Sequence, residues 1–208
     1  MIKKLLNRIK GKLNRIKESN RHKEFIKNNN LVESDKVFTH LTTQEKRQLF
    51  ALAGEIENGY ALEIGSFVGA SACFIAKGLE KNSKLICIDT WENDAMTEGK
   101  RDTKKEFDDN TDNVKEKIEK VQGYSTNVKD KVLDIAPKID MLFIDGDHSY
   151  EGCKADWDLY IDMVKSGGCV VFHDCGWADG VKKVIEEDAK PIMSSFDSLP
   201  NMFWGYIK

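Results

Sequence analysis

The stretch that decides the fold is Leu62-Glu63-Ile64-Gly65-Ser66-Phe67-Val68-Gly69. It follows a short apolar run at residues 60–64, which predicts a buried β-strand, and it precedes small residues at 70–79, which predict a helix. Gly65 permits a tight turn and a close approach of the backbone to a ligand, and Gly69 lets the helix start against the sheet. The stretch therefore predicts a strand, a ligand-binding loop and a helix in succession.

The same alternation continues to the end of the chain. Further strands are predicted at residues 84–89, 117–122, 139–145, 169–172, 191–195 and 202–207, and further helices at 103–109, 126–135, 150–164 and 180–188. Gly167 and Gly168 are expected to end the helix at 150–164. Strands that alternate with helices imply right-handed crossovers. We therefore expect an α/β, Rossmann-like doubly wound fold: a mostly parallel seven-stranded sheet with an antiparallel C-terminal strand, plus N-terminal helices.

The N-terminal region differs in charge from the rest of the chain. Residues 1–27 carry a net charge of +8, which leaves −11 for the remainder of a 208-residue chain whose net charge is −3. Apolar residues recur there at helical spacing, at Ile2, Leu5, Leu6, Ile9, Leu13 and Ile16. We predict a basic amphipathic helical arm at residues 1–30 and one domain at 31–208. A second helix is expected from Thr42, which would form a capping box with Glu45, to about residue 57. The acidic body argues against nucleic-acid binding.

Two roles for the arm remain open. In the first, the arm is solvated or docked on a neighbouring subunit of a homo-oligomer. In the second, it is an interfacial helix held by anionic lipid. No aromatic anchor precedes Phe25, which favours the first reading. The five cysteines lack C-x-x-C spacing. Four of them lie in apolar runs or predicted helices, which predicts buried thiols and a reducing compartment. We expect a cytoplasmic protein, peripheral at the inner face of the membrane if the arm binds lipid.

Acidic residues fall at the ends of four predicted strands, at Glu63, Asp89, Asp145 and Asp174. Ligands of such sheets bind beyond the carboxyl ends of the strands. The dinucleotide pattern G-x-G-x-x-G is absent. An acid two residues before Gly65 suits a cationic amino acid, and Asp89 is placed to accept hydrogen bonds from ribose hydroxyls. The alternative is that the two glycines serve strand–helix packing alone.

These motifs resemble those of a known family. The loop at residues 62–69 is similar to the first motif of class I S-adenosylmethionine-dependent methyltransferases, and Ile88-Asp89-Thr90-Trp91 is similar to the second. Residues 140–151 and 165–174 resemble small bacterial O-methyltransferases of the catechol O-methyltransferase-like and macrolide-sugar O-methyltransferase groups. The resemblance covers about residues 58–208 and leaves the basic arm outside.

The resemblance implies roles for the residues of the nucleoside site. Glu63 would meet the methionine end of S-adenosylmethionine, Asp89 the ribose, and Ser125 the adenine. The expected cofactor-binding set is Glu63, Gly65, Ser66, Gly69, Asp89, Trp91 and Ser125. Trp91 would stack on the adenine or wall the substrate pocket, and simple core packing is its alternative.

The resemblance also implies a divalent metal. Asp145 follows the fourth strand, and His173 and Asp174 follow the fifth, so adjacent parallel strands would bring them together as ligands. Relatives hold a magnesium-type ion with acids at these positions. His173 departs from that pattern and admits manganese, iron or zinc. The alternative is that His173 only hydrogen-bonds a neighbour, while Asp145, Asp174 and water hold the ion.

His148 occupies the place where related enzymes carry a general base, and imidazole has a suitable pKa. Its expected role is catalysis or metal binding, and a capping or packing role is its alternative. We expect His148 and Asp145 to serve catalysis. Asp147 is expected to cap the helix that begins at Tyr150. Trp177 is expected to line the acceptor pocket, and residues 91–112 are expected to form a lid or binding loop.

These expectations combine into a function. The sequence predicts an S-adenosylmethionine-dependent O-methyltransferase that modifies a hydroxyl of a small molecule, a sugar or glycan precursor by family analogy, with a divalent metal. The alternatives are a metal-independent methyltransferase with His148 as base, a NAD-dependent oxidoreductase on a similar sheet, and a non-enzymatic module.

Overall fold

The structure is a computed structural model that describes residues 2–93 and 99–208, with side chains from residue 10 onward. Seven strands form one sheet: β1 Tyr60–Ile64, β2 Lys84–Asp89, β3 Ile118–Gln122, β4 Ile139–Ile144, β5 Val164–His173, β6 Met193–Leu199 and β7 Met202–Ile207. Their order is β3-β2-β1-β4-β5-β7-β6. Only β7 runs antiparallel to its neighbours, β5 and β6. The predicted doubly wound, mostly parallel sheet is confirmed.

Helices cover both faces of this sheet. They are α1 Ile2–Asn28, α2 Thr43–Ala53, α3 Ala70–Gly78, α4 Lys104–Thr111, α5 Lys129–Ile135, α6 Tyr150–Tyr160 and α7 Asp179–Val184. Successive strand residues point to opposite faces, so Leu62 packs on the α6 side and Ala61 on the α2 and α3 side. Both faces are buried, which explains why the central strands are apolar throughout.

Two predicted boundaries differ from the structure. Helix α6 ends at Tyr160, and Gly167 and Gly168 lie inside β5 instead of stopping the helix. Gly167 has a φ of +77°, and the pairing of β4 with β5 shifts register at this end, so the glycines accommodate an irregular strand start. Helix α2 carries the predicted capping box of Thr42 and Glu45, but it ends at Ala53 instead of near residue 57.

The arm is a 27-residue helix that contacts the body along its C-terminal part. Ile26 packs with Leu31 and Phe74, and Glu18 pairs with Arg47. Leu13 and Ile16 are about half exposed, at 51% and 48%. The side chains of residues 2–9, which carry most of the predicted apolar stripe, lie outside the described part of the chain. None of the described helices is long and apolar enough to cross a bilayer.

Candidate active site

The loop after β1 is held between β2 and β4. Gly65 N–H donates to the carbonyl of Ile88 at 2.9 Å, and a Cβ added to Gly65 would lie 2.2 Å from the carbonyl oxygen of Asp145. Gly69 caps α3, and its added Cβ would meet Thr111 and Phe107 of α4 at 2.7 and 3.1 Å. Both glycines have a φ of +89°. The close approach of the residue after β4 explains glycine at position 65, and the close approach of α4 explains glycine at position 69. From the sequence, a close approach to a ligand was expected at Gly65 and to the sheet at Gly69.

Glu63 lies beneath this loop and is fully buried. Burial raises the pKa of its carboxyl to about 7, although hydrogen bonding opposes the shift. One oxygen, Oε2, accepts from Cys87 Sγ at 3.5 Å. The other, Oε1, has no hydrogen-bond partner among the described residues, and neither has the buried Oγ of Ser66. Ser66 lines a cavity beside the loop, whereas Glu63 lies behind it and lines neither of the two cavities described below.

Asp89 ends β2 and braces two turns. Its Oδ2 accepts from the N–H of Phe67 at 2.7 Å, and its Oδ1 accepts from the N–H of Trp91 at 2.6 Å. The carboxylate also lines two neighbouring cavities. The ribose contact that the resemblance implies for Asp89 stays a prediction.

Trp91 packs in the core, which is the alternative that the sequence left open. The side chain is 1% exposed, and its ring lies 5.0 Å from that of Phe107. It lines neither cavity beside Asp89. The left-handed turn at Trp91, with a φ of +54°, directs the indole into the core, so the structure gives no support to stacking on a cofactor.

Two cavities meet at the carboxyl ends of β1 and β4, where the strand order reverses. The first has a volume of about 440 Å³ and the second about 420 Å³. Gly65, Asp89, Gly146 and His148 line both. The first continues past Ser66 and Ser71 to the exposed rings of Phe38 and Trp177, and the second runs toward Ser125. Together they would accommodate a nucleoside cofactor in one arm and an acceptor in the other.

Ser125 lies in the second cavity, where the resemblance puts the adenine. Its hydroxyl donates to Asp156 Oδ1 at 2.5 Å, and its carbonyl accepts from the Tyr160 hydroxyl at 2.7 Å. Asp156 was not predicted. It falls on the buried face of α6 with Cys153 and Trp157 at helical spacing, and a charged residue on an apolar face is the signal that could have revealed it.

His173 is buried among three carboxylates. Its Nδ1 lies 3.1 Å from Asp145 Oδ1 and 3.3 Å from Asp174 Oδ2, and its Nε2 lies 3.7 Å from Glu45 Oε2. Burial alone would lower the pKa of His173, but the charge of Asp145 and these hydrogen bonds raise it to about 12. These carboxylates favour the protonated form of His173, which lies between β5 and α2. This placement matches the alternative in which His173 bonds its neighbours and does not ligate a metal.

His148, and not His173, lies in the group of described residues that could hold a metal ion. Its Nε2 lies 2.8 Å from Asp174 Oδ2, and candidate ligand atoms of Asp145, His148 and Asp174 all lie within 4.8 Å of one another. The hydrogen bond with Asp174 raises the pKa of His148. Burial would raise the pKa of Asp174, but hydrogen bonds with both histidines hold it well below its usual range. Two carboxylates and one imidazole facing a cavity fit a divalent cation.

Further residues support this cluster without having been predicted. Asn201 Nδ2 donates to Asp174 Oδ1 at 2.8 Å, and Glu45 contacts His173 from α2. Glu45 was recognised only as a helix cap, and no sequence signal distinguishes Asn201 from an ordinary turn residue. Trp177 lines the first cavity as predicted, and its Nε1 donates to Asp174 Oδ1 at 2.7 Å.

The predicted cap of α6 is wrong in detail. Ser149, not Asp147, is the capping residue and accepts from the N–H of Gly152 at 3.0 Å. Asp147 Oδ1 instead accepts from the N–H of Ser149 at 2.8 Å, because its side chain closes the turn one step earlier.

The predicted lid at residues 91–112 is described in part. Residues 94–98 lie outside the described residues. Helix α4 packs on the loop between β1 and α3, since Asn110 Nδ2 donates to the carbonyl of Val68 at 2.9 Å. The role of a lid stays a prediction.

Similarities to known proteins agree with this architecture. A relative from Acanthamoeba polyphaga mimivirus, the uncharacterized protein R132, is 34% identical over 115 residues, which cover 54% of this chain and 50% of that protein. The chain thus spans half the length of that relative.

Two solved structures share the fold. An O-methyltransferase from Bacillus cereus in complex with SAH superposes with a TM-score of 0.65 at 15% identity, covering 90% of both chains. CalS11, a TDP-rhamnose 3'-O-methyltransferase of calicheamicin biosynthesis, superposes with a TM-score of 0.59 at 16% identity, covering 78% of this chain and 77% of that one. These likenesses confirm the methyltransferase fold.

The family model for a methyltransferase domain matches residues 62–175, a span that begins in β1 and closes just after Asp174. It contains the loop, Asp89, Ser125, Asp156 and the histidine–carboxylate cluster. With more than half of its length in that match, the chain belongs to the methyltransferase-domain family.

Proposed function

We propose that this protein is an S-adenosylmethionine-dependent O-methyltransferase that acts on a hydroxyl of a small molecule. The observation that carries the proposal is the position of Gly65, Ser66 and Asp89 at the carboxyl ends of β1 and β2, where all three line the first cavity. Ser66 would face the amino-acid end of the cofactor, and Asp89 would accept a hydrogen bond from its ribose. A nicotinamide dinucleotide fits less well, because the G-x-G-x-x-G loop for its pyrophosphate is absent.

The residues of the histidine–carboxylate cluster would assist the transfer. Asp145, His148 and Asp174 would hold a divalent cation, magnesium by preference for oxygen ligands, with manganese or zinc tolerated by the imidazole. When bound, the ion would lower the pKa of the acceptor hydroxyl. Asp174 orients His148, and Asn201 and Trp177 orient Asp174. The in-line geometry and the exclusion of water then supply the rest of the rate.

A metal-independent transfer is the second candidate, with His148 as base. It is favoured by the 2.8 Å contact of His148 with Asp174, which orients the imidazole in the manner of a base and its carboxylate. In that case His148 must lose its proton before it can accept one, and the Asp174 contact opposes this loss.

The acceptor is proposed to be a sugar or a glycan precursor. The first cavity opens between ring side chains that are largely exposed, Phe38 and Trp177, each at 60%. Such rings stack on the apolar faces of sugars while leaving hydroxyls to polar groups. The similar fold of CalS11, an enzyme that methylates TDP-rhamnose, supports this class.

The test is methyl transfer from S-adenosylmethionine to a panel of nucleotide-linked sugars and catechols, read as S-adenosylhomocysteine release. Activity that a chelator abolishes and magnesium restores supports the metal-assisted reaction. Activity that survives both the chelator and Asp145→Asn, but not His148→Gln, identifies the metal-independent one. Absence of transfer to every sugar, with transfer to a catechol, overturns the acceptor class alone.

A further inference from the structure

One pair of ionisable side chains has no role in the proposed reaction, Glu45 of α2 and His173 of β5. Both side chains are buried, and Glu45 Oε2 lies 3.7 Å from His173 Nε2. Burial of an ionisable group is unfavourable unless a partner compensates for the lost water. Glu45 lines neither of the two cavities. Any effect of Glu45 on the reaction must therefore pass through His173.

His173 reaches from Glu45 to two of the residues that could hold a metal ion. Its Nδ1 lies 3.1 Å from Asp145 Oδ1 and 3.3 Å from Asp174 Oδ2. These acids follow the paired strands β4 and β5, which brings their negative charges to one edge of the sheet. Like charges so close together repel. An N–H group between them offsets the repulsion, so His173 favours the arrangement in which the two carboxylates lie side by side.

Glu45 sets the direction of the imidazole ring. A ring whose Nε2 faces Glu45 presents its other nitrogen, Nδ1, to the two acids. The carboxylate of Glu45 is itself fixed by the capping box of α2. Its Oε2 accepts from the N–H of Thr42 at 2.7 Å, and its own N–H donates to Thr42 Oγ1 at 3.3 Å. The start of α2 therefore fixes Glu45, and Glu45 fixes the ring.

The two residues after Glu45 hold the same helix against the N-terminal region. Lys46 Nζ lies 2.7 Å from Asp35 Oδ1, and Arg47 pairs with Glu18 of α1. Three consecutive residues thus contact the candidate active site and the N-terminal region. All of them precede the matched methyltransferase domain. A part of the chain outside that domain therefore reaches the histidine–carboxylate cluster.

We propose that Glu45 is a positioning residue of the active site, which acts through His173 to hold Asp145 and Asp174 side by side for a divalent cation. The inference rests on the proposed function, from which it takes the cation. His173 is then not a ligand but the group that spaces the ligands. The position of its ring, between Glu45 and both acids, carries the inference.

A purely structural role for the pair makes a different prediction. If Glu45 only fastens α2 to the sheet, Glu45→Gln lowers the stability of the protein and leaves the affinity of the folded protein for a cation unchanged. A positioning role predicts weaker cation binding, because partners that orient metal ligands typically contribute about 10- to 100-fold to metal affinity. The affinity for S-adenosylhomocysteine should stay at the wild-type value, since Glu45 lines neither cavity.

The experiment is titration of the wild-type protein, Glu45→Gln and Glu33→Gln with Mn²⁺, in which free Mn²⁺ is read from its electron paramagnetic resonance signal. Glu33 is the matched control, an exposed glutamate that pairs with Lys36. We expect Glu45→Gln to bind Mn²⁺ at least about 10-fold more weakly, and Glu33→Gln to bind it as the wild type does. The same proteins are titrated with S-adenosylhomocysteine, and circular dichroism shows that each is folded. A folded Glu45→Gln with wild-type affinity for Mn²⁺ overturns the inference.

A double-mutant cycle tests the route through His173. His173→Gln removes the ring that spaces the two acids, so we expect weaker binding of Mn²⁺, whereas the loss of a positive charge alone would strengthen it. In the His173→Gln background, Glu45→Gln should have little further effect on Mn²⁺ affinity, and losses that add fully overturn the route. If Glu45→Gln does not fold, His173→Gln decides alone, and unchanged or tighter Mn²⁺ binding by that variant overturns the inference.

The inference and the proposed function fail in different ways. Wild type that binds S-adenosylhomocysteine but no Mn²⁺ at millimolar concentration overturns the inference and leaves the metal-independent transfer. Wild type that binds Mn²⁺ but not S-adenosylhomocysteine overturns the proposed function instead.

Discussion

Glu63 shows how much of the site depends on single buried charges. A carboxyl whose pKa is raised on folding favours the folded state fully below its ordinary value of 4.5, and this contribution is lost as the pH rises through about 7. The unfolded chain releases the proton first, so the free energy of unfolding falls across this window. A cationic ligand would reverse the effect by stabilising the ionised form.

Replacing Glu63 with Gln should therefore change stability in a pH-dependent way. At pH 8 the free energy of unfolding of the variant should exceed that of the wild type by on the order of 3 kcal/mol, and at pH 4.5 the two values should be similar. Urea unfolding at the two pH values measures this. The same variant should bind S-adenosylmethionine more weakly, and a variant that gains no stability at pH 8 would contradict the burial argument.

Glu45 and His173 form the second residue-scale case. Glu45 is 1% exposed, and burial would raise its pKa, but hydrogen bonds from His173 and Thr42 lower it. Removing one charge of such a set leaves the other without compensation.

Replacing Glu45 with Gln should destabilise the protein by about 2–4 kcal/mol, because the imidazolium of His173 loses one partner while Gln still accepts the capping bond from Thr42. The control is Glu33→Gln, which breaks an exposed pair with Lys36 and should cost less than about 0.5 kcal/mol. Equal midpoints for the two variants in urea would refute the coupling between α2 and β5.

At the residue scale, the sequence predicted which residues form the site but not the directions in which their side chains point. Asp145, His148, His173 and Asp174 were all recognised as one cluster, but the sequence did not show that His148, and not His173, is grouped with Asp145 and Asp174. The reason is long-range: His173 points toward Glu45, a residue 128 positions earlier that docks only when α2 packs on the sheet. Asp156 and Asn201 were missed for the same reason, since their partners Ser125 and Asp174 lie far away in the chain.

At the element scale the loop between β1 and α3 is the most constrained connection. Alternation of apolar runs with turns predicted all seven strands, because a parallel sheet buried on both faces produces such runs. The glycines were recognised as well, but periodicity could not show that β4 and α4 are what press against them. The irregular start of β5 at Gly167 was missed because two adjacent glycines more often end a helix.

Replacing Gly65 with Ala tests this loop. The new Cβ would lie 2.2 Å from the Asp145 carbonyl oxygen, and alanine resists a φ of +89°. We expect a loss of more than about 2 kcal/mol in stability and a large loss of cofactor affinity. Gly11→Ala is the control, since nothing lies within 4 Å of its added Cβ and alanine favours a helix by about 1 kcal/mol. A fully stable Gly65→Ala that binds cofactor normally would show that the loop is looser than the structure indicates.

At the scale of the whole molecule, charge is segregated between the arm and the body. The exposed part of α1 carries Lys10, Lys12, Arg15 and Lys17 beside the half-exposed Leu13 and Ile16, whereas the remainder of the chain is acidic. We propose that this part of the helix docks on an anionic lipid surface, because the body alone would be repelled by one. Docking on a second copy of the chain is the alternative outcome.

Replacing these four basic residues with Gln should weaken binding to vesicles that contain phosphatidylserine by roughly 10³-fold, at about 1 kcal/mol per charge, without changing cofactor affinity. Co-sedimentation with anionic and with neutral vesicles measures this, and neutral vesicles should not bind either protein. Wild type that ignores anionic vesicles but elutes as a dimer that the variant loses would contradict lipid docking.

The central claim is that the loop at residues 62–69 and Asp89 build a site for S-adenosylmethionine. Isothermal titration of S-adenosylhomocysteine into the wild-type protein and into Asp89→Ala tests it most directly. We predict binding of one molecule per chain by the wild type and a loss of at least 10-fold in affinity for Asp89→Ala, since the ribose loses its acceptor and the turn at Phe67 its brace. No heat of binding by the folded wild type at millimolar ligand would contradict the account.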